Sequence, residues 1–357
     1  MENRAQSVGR TSAKRLSLFI GVFIVAAIAF WFAASVDEPS SHEPGVIVFH
    51  HMQRSESTEQ RAQGFIDAIK REFPAVSILS SDQYLGPAQA SAVNHTRLVL
   101  DKFGEAITGI FCVNEPNAVG CLQTLENTSR AGVIPFVGFD STAAMLEALK
   151  QGKMAGIVVQ DPIQIGYQTV NTALAHLRGE SVKKRVITPH RLVTAENFES
   201  EELQTILYPE RFSGAQFGPN EAAFTIGVVS KGLTHEYWQS VRAGAERAAR
   251  EAGDTLIRFE APVFEDDVEG QKQVVRKLIE DNVSAICLSP IDSVELVDVV
   301  AECNHADVPV VIFDSGLDLD EVSAAEANIV SYVATDNYEA GATAAKRLVE
   351  ALAESSR

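Results

Sequence analysis

The sequence predicts an α/β chain with two doubly wound parallel-sheet lobes joined by a hinge, preceded by one transmembrane helix. Three observations lead there. Short Val- and Ile-rich runs alternate with stretches of helical periodicity, the pattern of parallel strands covered on both faces. The two halves open alike: VIVFHHMQRSESTEQRAQGFIDAIKREF at 46–73 and IGVVSKGLTHEYWQSVRAGAERAAREAG at 226–253 each read as strand, polar loop and amphipathic helix. Ahead of both, residues 16–34 form a run of 19 without a charge.

The elements follow in order. Residues 1–15 make a basic tail with Arg4, Arg10, Lys14 and Arg15. The apolar run would span roughly 28 Å at about 1.5 Å per residue, close to a bilayer core of about 30 Å. Residues 16–35 are therefore expected to be a membrane anchor, with the basic tail in the cytoplasm and the rest on the periplasmic or extracellular face. Ala33-Ala34-Ser35 resembles a cleavage site and keeps a removed signal, and a secreted product, open. No lipobox cysteine follows. Residues 36–44 are a polar linker.

A strand is expected at 45–49, and the stripe Ala62, Phe65, Ile66, Ile69 marks the helix after it. Further strands are expected at 75–79, 107–113, 133–138 and 155–159. Helices lie between them, and another follows near 163–178. Residues 45–197 thus make the first lobe. Residues 198–222, with Pro209, Gly214, Gly218 and Pro219, read as a linker. The second lobe, 223–357, has strands at 225–229, 255–259, 283–288, 308–313 and 328–333. Its first helix carries the stripe Trp238, Val241, Ala245, Ala248, and a last helix runs from about 336 to 353.

Composition narrows the function. The 357 residues carry a net charge of −18 with a pI of about 4.9, which excludes nucleic acid as a partner because phosphates are held by a Lys/Arg surplus. Cys112, Cys121, Cys287 and Cys303 form no C-x-x-C pair, and disulfide pairing stays open. His235-Glu236 lacks the second histidine of H-E-x-x-H, and His50-His51 has no ligand set at metal spacing. No P-loop, G-x-S-x-G or G-x-G-x-x-G occurs. Neither a cofactor, a metal nor an enzyme activity is expected.

In doubly wound sheets ligands bind beyond the carboxyl ends of the strands. The polar and aromatic residues there are Ser230, His235, Tyr237, Trp238, Asp314 and Ser315 in the second half. The first half offers 54–61, including Glu59 and Arg61, then Asn114 and Glu115, Asp140, and Gln160 with Asp161; Tyr84 lies in the loop after the second strand. Carboxylates and amides pair with vicinal hydroxyls, and aromatic rings cover sugar C–H faces, so the set suits a small polyol. Each residue also has a purely structural reading: Asp140, Asp314 and Asn114 as helix caps, Tyr237 and Trp238 as packing.

STEQRAQGF (57–65), FCVNEPNAVGCLQTL (111–125), VGFDST (137–142) and GIVVQDPIQIGYQTV (156–170) resemble the C-terminal lobe, with its return crossover, of type I periplasmic binding proteins of the ribose-binding kind, which implies a crossover helix near 163–178. The stretch 226–253, ICLSPIDS (286–293), VPVVIFDSG (308–316) and VATDNYEAG (333–341) resemble its N-terminal lobe. The resemblance implies a monosaccharide or cyclitol ligand, held by Ser230, Tyr237, Trp238 and Asp314 on one side and Asn114, Asp140, Gln160 and Tyr84 on the other. It implies delivery to an ABC permease. A sensor presenting sugar to a membrane receptor or kinase is one alternative. A sugar-responsive regulator without its DNA-binding domain is another, disfavoured because 1–15 is too short for a helix-turn-helix. Arg61 matches the Arg of the family's R-x-x-G-F pattern. Ser315 and Glu59 stand where ribose binders carry Arg, and His235 where Asn is common, so the hydroxyl pairing differs from that for ribose. The lobes come in reversed order, which implies either a circular permutation or lobes completed by neighbouring chains.

Overall fold

The computed structural model describes residues 44–207 and 222–355. The expected anchor or signal, residues 16–35, lies outside them, as does most of the expected linker. Among the described residues no helix is long and apolar enough to cross a membrane.

The first sheet has six strands in the order β2 (Ser77–Tyr84), β1 (Gly45–His50), β3 (Ile107–Cys112), β4 (Phe136–Phe139), β5 (Gly156–Gln160), β7 (His190–Val193). All pair in parallel except β7, which runs antiparallel to β5. The second sheet is fully parallel, ordered β6 (Arg185–Thr188), β12 (Ser331–Thr335), β11 (Val310–Phe313), β10 (Ala285–Leu288), β8 (Phe224–Val229), β9 (Thr255–Glu260). The central strands are buried on both faces, which is why their sequences are continuous apolar runs and not alternating ones.

The stripes read from sequence are the buried faces of their helices. Ala62, Phe65, Ile66 and Ile69 face inward on α1 (Glu56–Glu72), whose acidic first turn and basic last turn complement its dipole. Helices α2 (Gln89–Phe103), α3 (Glu115–Asn127) and α4 (Ala143–Lys150) complete this lobe. In the second lobe α7 (Glu236–Ala252) buries Trp238, Val241, Ala245 and Ala248. It is followed by α8 (Val268–Glu280), α9 (Val297–His305) and the short α10 (Leu319–Ala324).

Two helices are exchanged between lobes. Helix α5 (Pro162–Leu177) leaves the first sheet and contributes Ile165, Val170, Ala173 and Leu174 to the second lobe's core. Helix α11 (Asn337–Ser355) leaves the second sheet and contributes Ala340, Ala344, Ala345 and Leu348 to the first. Strand β6 joins the second sheet before β7 returns to the first. Residues 162–188 and 337–355 thus belong to the lobe opposite the one their place in the sequence suggests. Among the described residues the chain crosses between lobes at Asp161, Pro189 and Asp336.

Two local expectations change. Strand β2 extends to Tyr84, so Tyr84 ends the strand and does not sit in the following loop. Its second half, SSDQ, is polar because β2 is an edge strand, and apolar periodicity misses such a stretch. Within 198–222, residues Glu201–Leu207 form a helix, α6, whose Leu203 and Leu207 join the first lobe's core.

Candidate functional site

The carboxyl ends of the two sheets face each other across a cleft lined by side chains from both lobes, the place where doubly wound sheets bind ligands. The structure brings eight of the expected residues to it: Arg61, Asn114, Asp140 and Gln160 from the first lobe, His235, Tyr237, Trp238 and Asp314 from the second. The other four are outside its lining. Ser230 is fully buried and donates to the Gly232 carbonyl at 2.8 Å. Ser315 accepts from the Ser57 amide at 3.1 Å, joining the lobes beside the cleft. Glu59 turns back to accept from the Arg54 amide at 2.7 Å. Tyr84 stacks at a tilt on His50, ring centres 4.9 Å apart.

The cap readings are also decided. Asn114 precedes α3 but makes no side-chain cap bond. Thr142, not Asp140, caps α4, and Asp318, not Asp314, caps α10. Asp140 and Asp314 instead hold left-handed backbone, with φ of 61° and 62°. This conformation is unusual for a residue with a Cβ. Each amide is tied to the neighbouring strand, to the Val158 and Val333 carbonyls respectively, both at 2.9 Å. The two turns are equivalent and aim both carboxylates into the cleft.

Each acid then has its partners. Tyr237 Oη donates to Asp314 at 2.6 Å, Ser289 Oγ donates at 3.2 Å, and Lys231 Nζ lies 3.3 Å away. Burial, then the Asp314 charge, pushes the Tyr237 hydroxyl well above its ordinary range. Asp140 accepts from Gln160 Nε2 at 2.8 Å, with Arg61 Nη1 at 3.7 Å. Burial raises Asp140 in spite of both. Arg61 is fixed by the Asn337 side chain at 2.8 Å, the Val113 carbonyl at 3.0 Å and the Phe139 ring at 3.8 Å. Glu265 accepts from the Trp238 ring N–H and sits 3.0 Å from His235 Nδ1 and 3.6 Å from His51 Nε2. Burial opposes its ionisation, but the His235 hydrogen bond and charge outweigh that and bring the carboxyl down to about 2. Burial lowers His51 to about 4.

Two side-chain amide oxygens in the cleft lining are left over. Asn114 Oδ1 and Gln160 Oε1 are buried and accept from nothing, an arrangement that costs free energy until a donor arrives. No three His, Cys, Asp or Glu side chains among the described residues form a metal-binding group. All four cysteines are free and buried.

His51, Ser57, Thr58, Glu115, Lys231 and Glu265 also line the cleft and are absent from the expected ligand set. Lys231 follows Ser230 directly, and of the two it is Lys231 that faces the cleft. Glu115 follows Asn114 in the same way. Glu265 lies five residues past β9 in an irregular loop, where no periodicity points to it.

A family model for the periplasmic binding protein domain matches residues 24–181 and 226–356. The D-allose-binding periplasmic protein of Escherichia coli is 31% identical over 131 residues, 37% of this chain and 42% of that protein. The ribose import binding protein RbsB of Bacillus subtilis is 28% identical over 151 residues, 42% of this chain and 46% of that protein. The chain thus matches less than half the length of these curated relatives. GanP, a glucose-galactose binding protein from Geobacillus stearothermophilus, shares the fold with a TM-score of 0.55 and 17% identity, over 88% of this chain and 92% of that one. On two sheet lobes exchanging helices around a cleft, and on a match through both of them, the chain belongs to the periplasmic binding protein domain family, which implies a periplasmic location.

Proposed function

We propose that the cleft binds a small polyol, a monosaccharide or cyclitol, and that the lobes close on it. The observation that carries this is the pair of unsatisfied acceptors, Asn114 Oδ1 and Gln160 Oε1, beside Asp140, Asp314 and Glu265, which each have a basic partner. Vicinal hydroxyls supply donors to such oxygens and accept from Arg61 and Lys231. The Trp238 and Tyr237 rings, 4.8 Å apart and edge to face, offer apolar surface for C–H groups. Of the expected set, Arg61, Asn114, Asp140, Gln160, His235, Tyr237, Trp238 and Asp314 carry the binding, joined by Lys231 and Glu265. D-allose- and ribose-binding relatives support a sugar-like ligand.

The wider role is uptake: presentation of the ligand to an ABC permease, from a position tethered by residues 16–35. The reversed lobe order is read as a circular permutation within one chain. Within the chain the two lobes exchange helices and line one cleft, which supports this over lobes completed by neighbouring chains. Ligand contact worth about −8 kcal/mol gives micromolar affinity. Isothermal titration against a panel of pentoses, hexoses, polyols and inositols tests the reading. Saturable binding at one site is expected, and a silent panel would overturn it.

A further inference from the structure

Four carboxylates line the cleft, and three have a basic partner: Asp314 has Lys231, Asp140 has Arg61, and Glu265 has His235 and His51. The fourth, Glu115, opens α3 and is only 8% exposed. Its carboxylate accepts one long bond, 3.4 Å, from the Tyr237 amide, and no cation of the described residues reaches it within ion-pair distance. The preceding residue, Asn114, also lines the cleft, and its side-chain oxygen has no donor. The Glu115 carboxylate and the Asn114 Oδ1 are both acceptors in want of donors. A hydroxyl has one proton to give, whereas an ammonium has three donors and the charge to match Glu115.

We propose that Glu115 makes the cleft selective for polyols bearing a protonated amine, amino sugars or aminocyclitols, whose ammonium takes the place of the missing cation. This rests on the polyol reading above and narrows it. The groups facing Glu115 are His235, Glu236 and Tyr237 at the start of α7, and Asp140 at the end of β4 with Arg61 of α1 paired to it. Burial holds the Glu115 carboxyl up to about 7 against the pull of His235. An ammonium binds the ionised form, so below pH 7 it must displace a proton, and affinity for the amine falls as pH drops. His235, raised above its ordinary range, adds repulsion in the same direction when protonated. Only the Glu115 contribution disappears on substitution by Gln.

The test is isothermal titration of matched pairs: scyllo-inosamine against scyllo-inositol, and D-glucosamine against D-glucose. It is run on the wild type, on Glu115→Gln and on Asn114→Asp, with the inosamine repeated from pH 6 to 8. The amine member of at least one pair is expected to bind more than about tenfold tighter. That ratio is expected to fall towards one in Glu115→Gln and to rise in Asn114→Asp. The wild-type inosamine affinity should weaken by up to about tenfold per pH unit below 7, and less steeply in Glu115→Gln. Neutral members binding as well as amines, or a preference that survives Glu115→Gln, overturns the proposal and leaves the polyol reading standing. Failure of every member of both pairs and of the wider panel overturns both.

Discussion

Asp140 and Asp314 hold corresponding left-handed turns at the tips of β4 and β11, one in each lobe. Such backbone costs about 1–3 kcal/mol per residue and persists only where surrounding structure enforces it. Here the enforcement is the amide bond to the next strand, and the return is a carboxylate directed into the cleft. Removing Asp314 strands the buried Lys231, and removing Asn114 deletes a buried acceptor that has no partner in the protein. Asp314→Ala and Asn114→Ala are each expected to weaken polyol binding by more than about 1.5 kcal/mol, measured by titration calorimetry. Unchanged affinity in both would remove these residues from the site. Glu265 sets an acid limit. Its folded carboxyl is held at about 2 against an ordinary 4.5. The stability it contributes is present above about pH 4.5 and is lost as pH falls towards 2, a swing of about 3 kcal/mol. Melting temperature followed from pH 5 to 2.5 should drop less steeply in Glu265→Gln than in the wild type. Equal slopes would show that its pairing carries no linked stability.

At the scale of elements, two helix crossings are built on reciprocal glycines. A Cβ on Gly64 of α1 would lie 1.9 Å from the Tyr338 carbonyl of α11, and one on Gly341 would lie 1.9 Å from the Arg61 carbonyl. Gly166 of α5 and Gly244 of α7 repeat the arrangement, each 2.0 Å from the opposite backbone. These contacts dock the exchanged helices, so each glycine is a packing requirement between segments far apart in the chain. Gly341→Ala and Gly166→Ala should each destabilise by about 1–3 kcal/mol through forced separation of the helices, seen as a lower denaturation midpoint in urea. Values near zero would mean the helices shift freely. The helices themselves were legible as amphipathic stripes. The crossover of α5 was expected, but the exchange of α11 was not, because a stripe says that a face is buried and not against which partner.

For the whole molecule, closure is held by bonds between the lobes that need no ligand. Glu56 of α1 accepts from the Gly316 amide at 2.8 Å and from Tyr332 Oη at 3.1 Å, and the Ser293 amide donates to the Arg54 carbonyl at 3.0 Å. Glu56→Ala removes two of these without touching the cleft lining. It should shift the empty protein towards an open state, raising the radius of gyration in small-angle scattering, with ligand restoring the compact value at lower apparent affinity. An identical radius with and without the substitution would show that Glu56 does not bias closure. The cleft was only partly legible because it forms between residues as far apart in the sequence as Arg61 and Asp314.

The sequence by itself determined the α/β class, the buried strands and the helix stripes, since these depend on composition and spacing within one element. It also singled out the strand-end residues Asn114, Asp140, Gln160, Tyr237 and Asp314, because in a parallel sheet every strand end points the same way. Only the tertiary structure decided which neighbour at each tip turns inward, Lys231 in place of Ser230, and that Glu115 is left without a cation. Those outcomes depend on side-chain direction and on partners brought from the opposite lobe, and neither is a property of any local stretch of chain.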